Sequence, residues 1–240
     1  MELFYAAPHQ IDRQAARVFL DGDEFHHLVR VLRKRKDEQI AVTDGCGAHF
    51  DVRIRRIGKR ALEGDITAER QVGRSGTRLT VALSMLKVPH RFEFFLEKAT
   101  ELGVDSVIPL ITARTVVRAP TDEQRAKRLD RWRSIIRSAA RQSGRYYLPD
   151  VVEPQSLQTV LSLDAYQCRL IAYERASSSM PLERCIGVHT LVVIGGEGGF
   201  ALDEIAFAEQ AGFCPLSFGC SILRDRKSTR LNSSHLAESR

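Results

Sequence analysis

No stretch of this 240-residue chain approaches the roughly 18 consecutive apolar residues that a membrane-spanning helix needs, so no such span is expected. The run Met1-Glu-Leu-Phe-Tyr-Ala-Ala-Pro8 lacks both a basic segment and a long apolar core, which argues against a secretory signal. The cytoplasm is therefore the expected compartment. The five cysteines (Cys46, Cys168, Cys185, Cys214, Cys220) include no C-x-x-C pair, which argues against a disulfide framework and a structural zinc site. The seven histidines never adopt an H-x-x-x-H spacing beside a carboxylate, and the adjacent His26 and His27 must point to different sides of any element. No metal is expected.

What is present in excess is positive charge. The net charge is +6, and its distribution is uneven. Between Arg114 and Arg145 ten basic residues face only three acidic ones, Asp122, Glu123 and Asp130. Smaller knots occur at Arg30, Arg33, Lys34, Arg35 and Lys36, and at Arg53, Arg55, Arg56, Lys59 and Arg60. Any one cluster alone reads as a solvated face. Three arginine-rich clusters in one chain point to a polyanionic partner, with nucleic acid the first choice.

Residues 1–72 read as short strands and turns. Asp44-Gly45-Cys46-Gly47 separates Ile40–Thr43 from His49–Ile54, a hairpin signal, and strand-like alternation returns over 61–67. One helix is expected over Asp23–Leu32, with Phe25, Leu28, Val29 and Leu32 on a common face. These features predict a small β-barrel, followed by a linker at Gly73–Gly76. From Leu79 strands alternate with helices. Leu79–Leu86, Val104–Ile111, Arg169–Glu174 and Leu191–Gly195 read as strands. A helix through Phe92, Leu96 and Ala99 should stop at Gly103. A longer one should begin at Pro120-Thr121, with Gln124 completing a capping box. Its apolar stripe is Leu129, Trp132, Ile135, Ile136 and Ala139, and Arg125, Arg131, Arg133, Arg137 and Arg141 lie opposite. The predicted class is α/β, a parallel sheet covered by helices and preceded by the barrel.

The run Thr190–Phe200 pours a buried strand into four glycines around Glu197. Such a loop lets main-chain N–H groups approach a ligand unobstructed. A P-loop is excluded because no Lys-Ser or Lys-Thr follows. Gly196, Gly198 and Ala201 satisfy a dinucleotide fingerprint superficially. However, no acid stands about 20 residues on, and too little chain remains for the repeated βαβ units of that fold. A tight turn without a ligand would need one glycine, not four.

Several segments together resemble the RsmE family, the 16S ribosomal RNA uridine-N3 methyltransferases of the SPOUT superfamily. They are His26-His-Leu-Val-Arg-Val-Leu-Arg33, Phe94-Phe-Leu-Glu-Lys-Ala-Thr-Glu-Leu-Gly-Val104, Trp132 through Arg145, Ile194-Gly-Gly-Glu-Gly-Gly199 and Ile222-Leu-Arg224. The resemblance implies a PUA-like β-barrel over 1–72 that helps bind RNA. It also implies a SPOUT trefoil-knot methyltransferase domain over 77–224 that binds S-adenosylmethionine as a homodimer. The implied partner is 16S ribosomal RNA or the small ribosomal subunit. By carry-over, the cofactor pocket is lined by Ala172, Tyr173 and Glu174, by Ile194, Gly195, Gly196, Glu197, Gly198 and Gly199, and by Phe218, Gly219, Ile222 and Leu223. Arg224 would stabilise a developing uracil anion, and Glu197 would accept the N3 proton or order the loop and the helix start near Asp203. Candidates for RNA phosphate are Arg30, Arg33, Lys34, Lys87, Arg91, Arg125, Arg131 and Arg133.

The chain departs from the family pattern at three places. Gly196 stands where the family usually has proline, and Ser221 where it usually has arginine. After Arg224 the family's apolar closing helix is replaced by the polar stretch 225–240, whose apolar members are only Leu231, Leu236 and Ala237. That tail is expected to be foreign to the fold. The competing reading is a non-catalytic RNA-binding protein that has lost a complete knot and cofactor site.

Overall fold

A computed structural model describes residues 2–74, 76–115, 121–176 and 182–217. In the first part, strands β1 (Leu3–Tyr5), β2 (Ile11–Asp12), β3 (Arg17–Asp21), β4 (Gln39–Thr43), β5 (Ala48–Ile57) and β6 (Ala61–Gln71) form a six-stranded sheet. Its order is β1-β4-β5-β6-β3-β2, antiparallel except for the β1–β4 pair. Period-two alternation explains it. Val52 and Ile54 of β5 are fully buried beside Val18, Leu20 and Leu62, while Arg53 and Arg55 face solvent. Arg53, Arg55 and Arg56 of the second basic knot are thus exposed residues of a strand, and Lys59 and Arg60 lie in the turn after it.

The helix expected over Asp23–Leu32 is two different turns. Helix α1 (Gly22–His26) passes directly into a π-helical segment, His27–Val31, closed by Leu32 N–H to the His27 carbonyl at 3.0 Å. Widening the turn keeps Leu28 fully buried and lays Phe25, Val29 and Leu32 against the sheet. Arg33, at φ 55°, ends the segment.

The second part carries β7 (Arg78–Ser84), α2 (Pro89–Leu102), β8 (Ser106–Ile111), α3 (Asp122–Ser143), β9 (Asp150–Val151), β10 (Gln155–Ser156), α4 (Leu157–Leu161), β11 (Cys168–Ala172), β12 (His189–Ile194), α5 (Leu202–Gln210) and β13 (Cys214–Leu216). The strands pair in parallel in the order β10-β8-β7-β12-β11-β13, with β9 also on β8. Both faces are covered. Val81 and Leu83 of β7 pack under α2 and α3 through Phe92, Leu96, Trp132 and Ile136. Ala82, between them, faces α4 and α5 through Leu161, Ile205 and Ala208. The predicted capping box holds: Gln124 N–H donates to Thr121 Oγ1 at 3.3 Å, and Thr121 N–H to Gln124 Oε1 at 3.1 Å. Gly103 ends α2 in the left-handed region at φ 83°.

One expectation is corrected. The scattered cysteines nevertheless include one bonded pair, Cys168–Cys185, because the fold brings the start of β11 beside the helical turn 182–185. Two of the five arginines opposite the α3 stripe pair with other elements of the chain. Arg131 grips both oxygens of Glu93, and Arg141 reaches Glu24 at 3.3 Å. The polar tail 225–240 lies outside the described residues.

The β4–β5 hairpin tip docks on the second part. Gly47 N–H donates to the Tyr146 carbonyl at 3.0 Å, and Leu148 N–H donates to the Gly45 carbonyl at 2.9 Å. Gly47 has φ 100°, and a Cβ there would sit 2.2 Å from the Tyr147 hydroxyl. Both backbone conformation and space therefore require glycine. Gly47→Ala is expected to cost about 2 kcal/mol or more, lowering Tm by roughly 4–8 °C. Calorimetry showing an unchanged Tm would refute this docking as a stabilising contact.

Glu24 lies in the same seam, accepting from Arg141 and from Tyr5 N–H. Burial raises its carboxyl above the usual range, against the opposing pull of Arg141 and the Tyr5 N–H. The folded state therefore holds this proton to higher pH than the unfolded chain does. Glu24's contribution to stability falls as pH climbs from the ordinary glutamate range through the raised value. The stability of the wild type minus that of Glu24→Gln should decline over this window in denaturant titrations. A flat or rising difference would contradict the burial argument.

Candidate active site

In sequence, β7 is followed by β8 on one side of the sheet, and β12 occupies the other side only later. The loops after β7 and β12 therefore diverge at the carboxyl ends of adjacent strands, where open α/β sheets bind ligands. The glycine loop is the β12 exit. Gly199 N–H donates to the Gly196 carbonyl at 2.9 Å, and Gly199 takes φ 62°. Gly198 lies against the Arg114 stem, where an added Cβ would come within 3.3 Å.

Three neighbouring elements hold this turn. Arg114, from the loop after β8, donates through Nη1 to the Gly198 carbonyl. Arg91, from α2, donates through Nη1 to Glu197 Oε1 at 3.1 Å. Glu204, in the first turn of α5, accepts from Ala201 N–H at 2.8 Å and from Ala113 N–H at 2.9 Å. Glu204 thus caps α5, the task offered to Glu197 as an alternative to proton transfer, and pins the β8 exit beside the glycine turn. Behind the turn, the Ser84 and Thr115 hydroxyls meet at 3.0 Å, and Thr112 N–H donates to Thr115 Oγ1 at 2.9 Å.

The turn separates two clefts. The larger, of about 430 Å³, is lined by Ala172, Tyr173, Glu174, Phe200 and Leu202 together with Glu197–Gly199. The smaller, of about 230 Å³, is lined by Ser84, Met85, Lys87 and Thr112. Arg114, Glu197, Gly198 and Gly199 border both. Of the two residues expected to end the β11 strand, Tyr173 keeps one bond to the sheet, its N–H donating to the Leu216 carbonyl at 2.9 Å, and Glu174 has left it; both line the larger cleft.

The structure thus brings Ala172, Tyr173, Glu174, Glu197, Gly198 and Gly199 to one cleft, and Lys87 and Gly196 to the other. Ile194 packs against the α2–α3 core. Phe218, Gly219, Ile222, Leu223 and Arg224 lie outside the described residues. Arg30, Arg33, Lys34, Arg125, Arg131 and Arg133 line neither cleft. Lys34 pairs with Glu38 at 3.0 Å, and Arg125 and Arg133 lie 3.9 and 3.8 Å from Asp122 and Asp130. Sequence reasoning passed over Arg114, Ser84, Thr112 and Glu204. Glu204 carried a signal, standing three residues after Ala201 at a helix start.

Residues 74–227 match the family described as RNA methyltransferase domain, and residues 20–67 match RNA methyltransferase PUA domain. The first match alone spans more than half of the chain. The chain belongs to the RNA methyltransferase family. A Mycobacterium bovis relative named Ribosomal RNA small subunit methyltransferase E is 33% identical over 217 residues, covering 85% of this chain and 80% of that protein. A Legionella pneumophila methyltransferase solved with bound SAM superposes with a TM-score of 0.81 at 28% identity, covering 99% of this chain and 98% of that one. A Neisseria gonorrhoeae Ribosomal RNA small subunit methyltransferase E bound to S-adenosyl methionine gives 0.80 at 28% identity, with coverage of 98% and 96%.

Glu204→Ala removes the acceptor for two backbone N–H groups. It should cost about 1–3 kcal/mol and speed amide exchange across residues 196–204. Hydrogen exchange in which only the Ala201 amide responds would show that Glu204 caps α5 without ordering the glycine turn.

Proposed function

We propose that the chain is an S-adenosylmethionine-dependent methyltransferase that methylates N3 of a uridine in 16S ribosomal RNA. The observation that carries this reading is the glycine turn, with Glu197 its one larger side chain, set between two clefts at the sheet's switch point. Membership of the RNA methyltransferase family gives that turn its chemistry. The larger cleft suits the cofactor: Tyr173, Phe200 and Leu202 offer apolar surface to an adenine, Glu174 and Glu197 offer negative charge to a sulfonium or ammonium, and Arg175 offers positive charge to a carboxylate. When bound, S-adenosylmethionine supplies a methyl group already activated by its positive sulfur. The protein's task is then alignment, which is worth roughly 7–11 kcal/mol when complete.

In this reading residues 1–72 are a PUA-like β-barrel that grips RNA, and 77–224 form a trefoil-knotted SPOUT domain acting as a homodimer in the cytoplasm. Arg30, Arg33, Lys34, Lys87, Arg91, Arg125, Arg131 and Arg133 are the candidate phosphate contacts. Phe218 to Leu223 complete the cofactor pocket, and Arg224 stabilises charge on the base.

Calorimetry with S-adenosylmethionine should show saturable binding, and NAD should give no heat. Mass spectrometry of small-subunit RNA from cells lacking the gene should reveal one uridine without its methyl group. Unaltered RNA, or no heat with S-adenosylmethionine, would favour a non-catalytic RNA-binding protein instead.

A further inference from the structure

The smaller cleft has a charge arrangement that the cofactor does not explain. Lys87 and Arg114 border it as cations, and Glu197 borders it as an anion. Among the described residues Lys87 has no ion-pair partner, and Arg114 bonds only the Gly198 carbonyl. The neighbouring helices differ: Arg131 is clamped by Glu93, and Lys98 lies between Glu97 and Glu101. Leaving two cations unmatched in a concave site keeps them ready for negative charge that appears only during a reaction. A neutral ring with an acidic N–H suits a pocket that offers one carboxylate and two cations.

We infer that the smaller cleft is the acceptor-base pocket, in which Glu197 takes the N3 proton of the target uracil and Lys87 and Arg114 stabilise the resulting anion. This rests on the methyltransferase reading above. The geometry supports the division of labour. Glu197, Gly198 and Gly199 form a wall common to both clefts, so a base on the β7–β8 side and a methyl donor on the β11 side would meet across the glycine turn. A side chain at Gly198 would narrow that passage. Arg91 fixes the Glu197 carboxylate by its Oε1 atom at 3.1 Å, so the proton acceptor is held in place. The Ser84 and Thr112 hydroxyls are tied to Thr115, at 3.0 and 2.9 Å, which makes the floor of the pocket rigid.

The step balances. The N3–H electron pair stays on nitrogen while the proton passes to a Glu197 oxygen. Nitrogen bonds the transferred methyl carbon as the carbon–sulfur bond breaks, its electron pair remaining on sulfur. One carboxylate and one sulfonium become a neutral acid and a thioether. The negative charge on the uracil oxygens exists only in between, where the two cations act.

The test uses the full chain, labelled S-adenosylmethionine and small-subunit RNA from cells lacking the modification. Lys87 lines only the acceptor side, so Lys87→Ala should lower kcat by about 10–100-fold and leave the calorimetric Kd for S-adenosylmethionine within about threefold. Glu197→Gln keeps an acceptor for Arg91 but not a base, and should lower kcat by about 100-fold or more. Wild-type kcat in Lys87→Ala overturns the assignment. So does a tenfold weaker cofactor Kd in that variant with kcat unchanged at saturation, which would make the cleft part of the cofactor site. A wild-type chain that binds no S-adenosylmethionine would instead overturn the methyltransferase reading, and the acceptor pocket with it.

Discussion

The parallel pairing of β7 with β12 is the constraint on which the rest of the second part depends. Six residues of each strand run in register, Arg78–Leu83 beside His189–Ile194, although more than a hundred residues separate them in the chain. Both strands are buried on both faces, so neither can slip by one residue without exchanging the Val81–Leu83 face for the Ala82 face. With the register fixed, the two exits are fixed as well. The β7 exit delivers Ser84 and Lys87, the β12 exit delivers Glu197 and the glycines, and the crevice between them follows without further design.

What converts the crevice into a site is a set of long-range tethers on a loop that has almost no side chains of its own. Arg114, Arg91 and Glu204 come from three different elements and converge on the five residues from Glu197 to Ala201. Each tether is a charged group bonded to backbone or to an opposite charge. Such bonds are stronger than neutral ones and keep their direction. The glycine turn is therefore open to ligands yet ordered, a combination that a loop of larger residues would not permit.

Much of this was readable in the sequence, and the limits have a common cause. Thr121, Gln124 and Gly103 announced helix ends because capping is local chemistry, complete within four residues. The Asp44–Gly47 hairpin and the Leu79 strand were legible for the same reason. The π-helical turn at His27 was not, since its apolar spacing matches that of an ordinary helix over so short a run. Arg114 looked like one more surface arginine, because its partner Gly198 lies 84 residues away. The sequence placed the arginines of α3 on one face, but not the partners that Glu93 and Glu24, on other elements, provide for two of them. Periodicity reports which face a residue occupies, but not what stands opposite that face.

The hairpin tip at Gly45 and Gly47 has a mechanical consequence. It fastens to Tyr146–Leu148, and two residues later the chain enters β9, which pairs with β8. The end of β8 leads within three residues to Arg114, and Arg114 holds the glycine turn. Among the described residues, the first sheet is thus connected to the turn through a short train of strands and hydrogen bonds. The two sheets are joined by direct backbone hydrogen bonds at the hairpin tip, which fixes how far the first stands from the glycine turn.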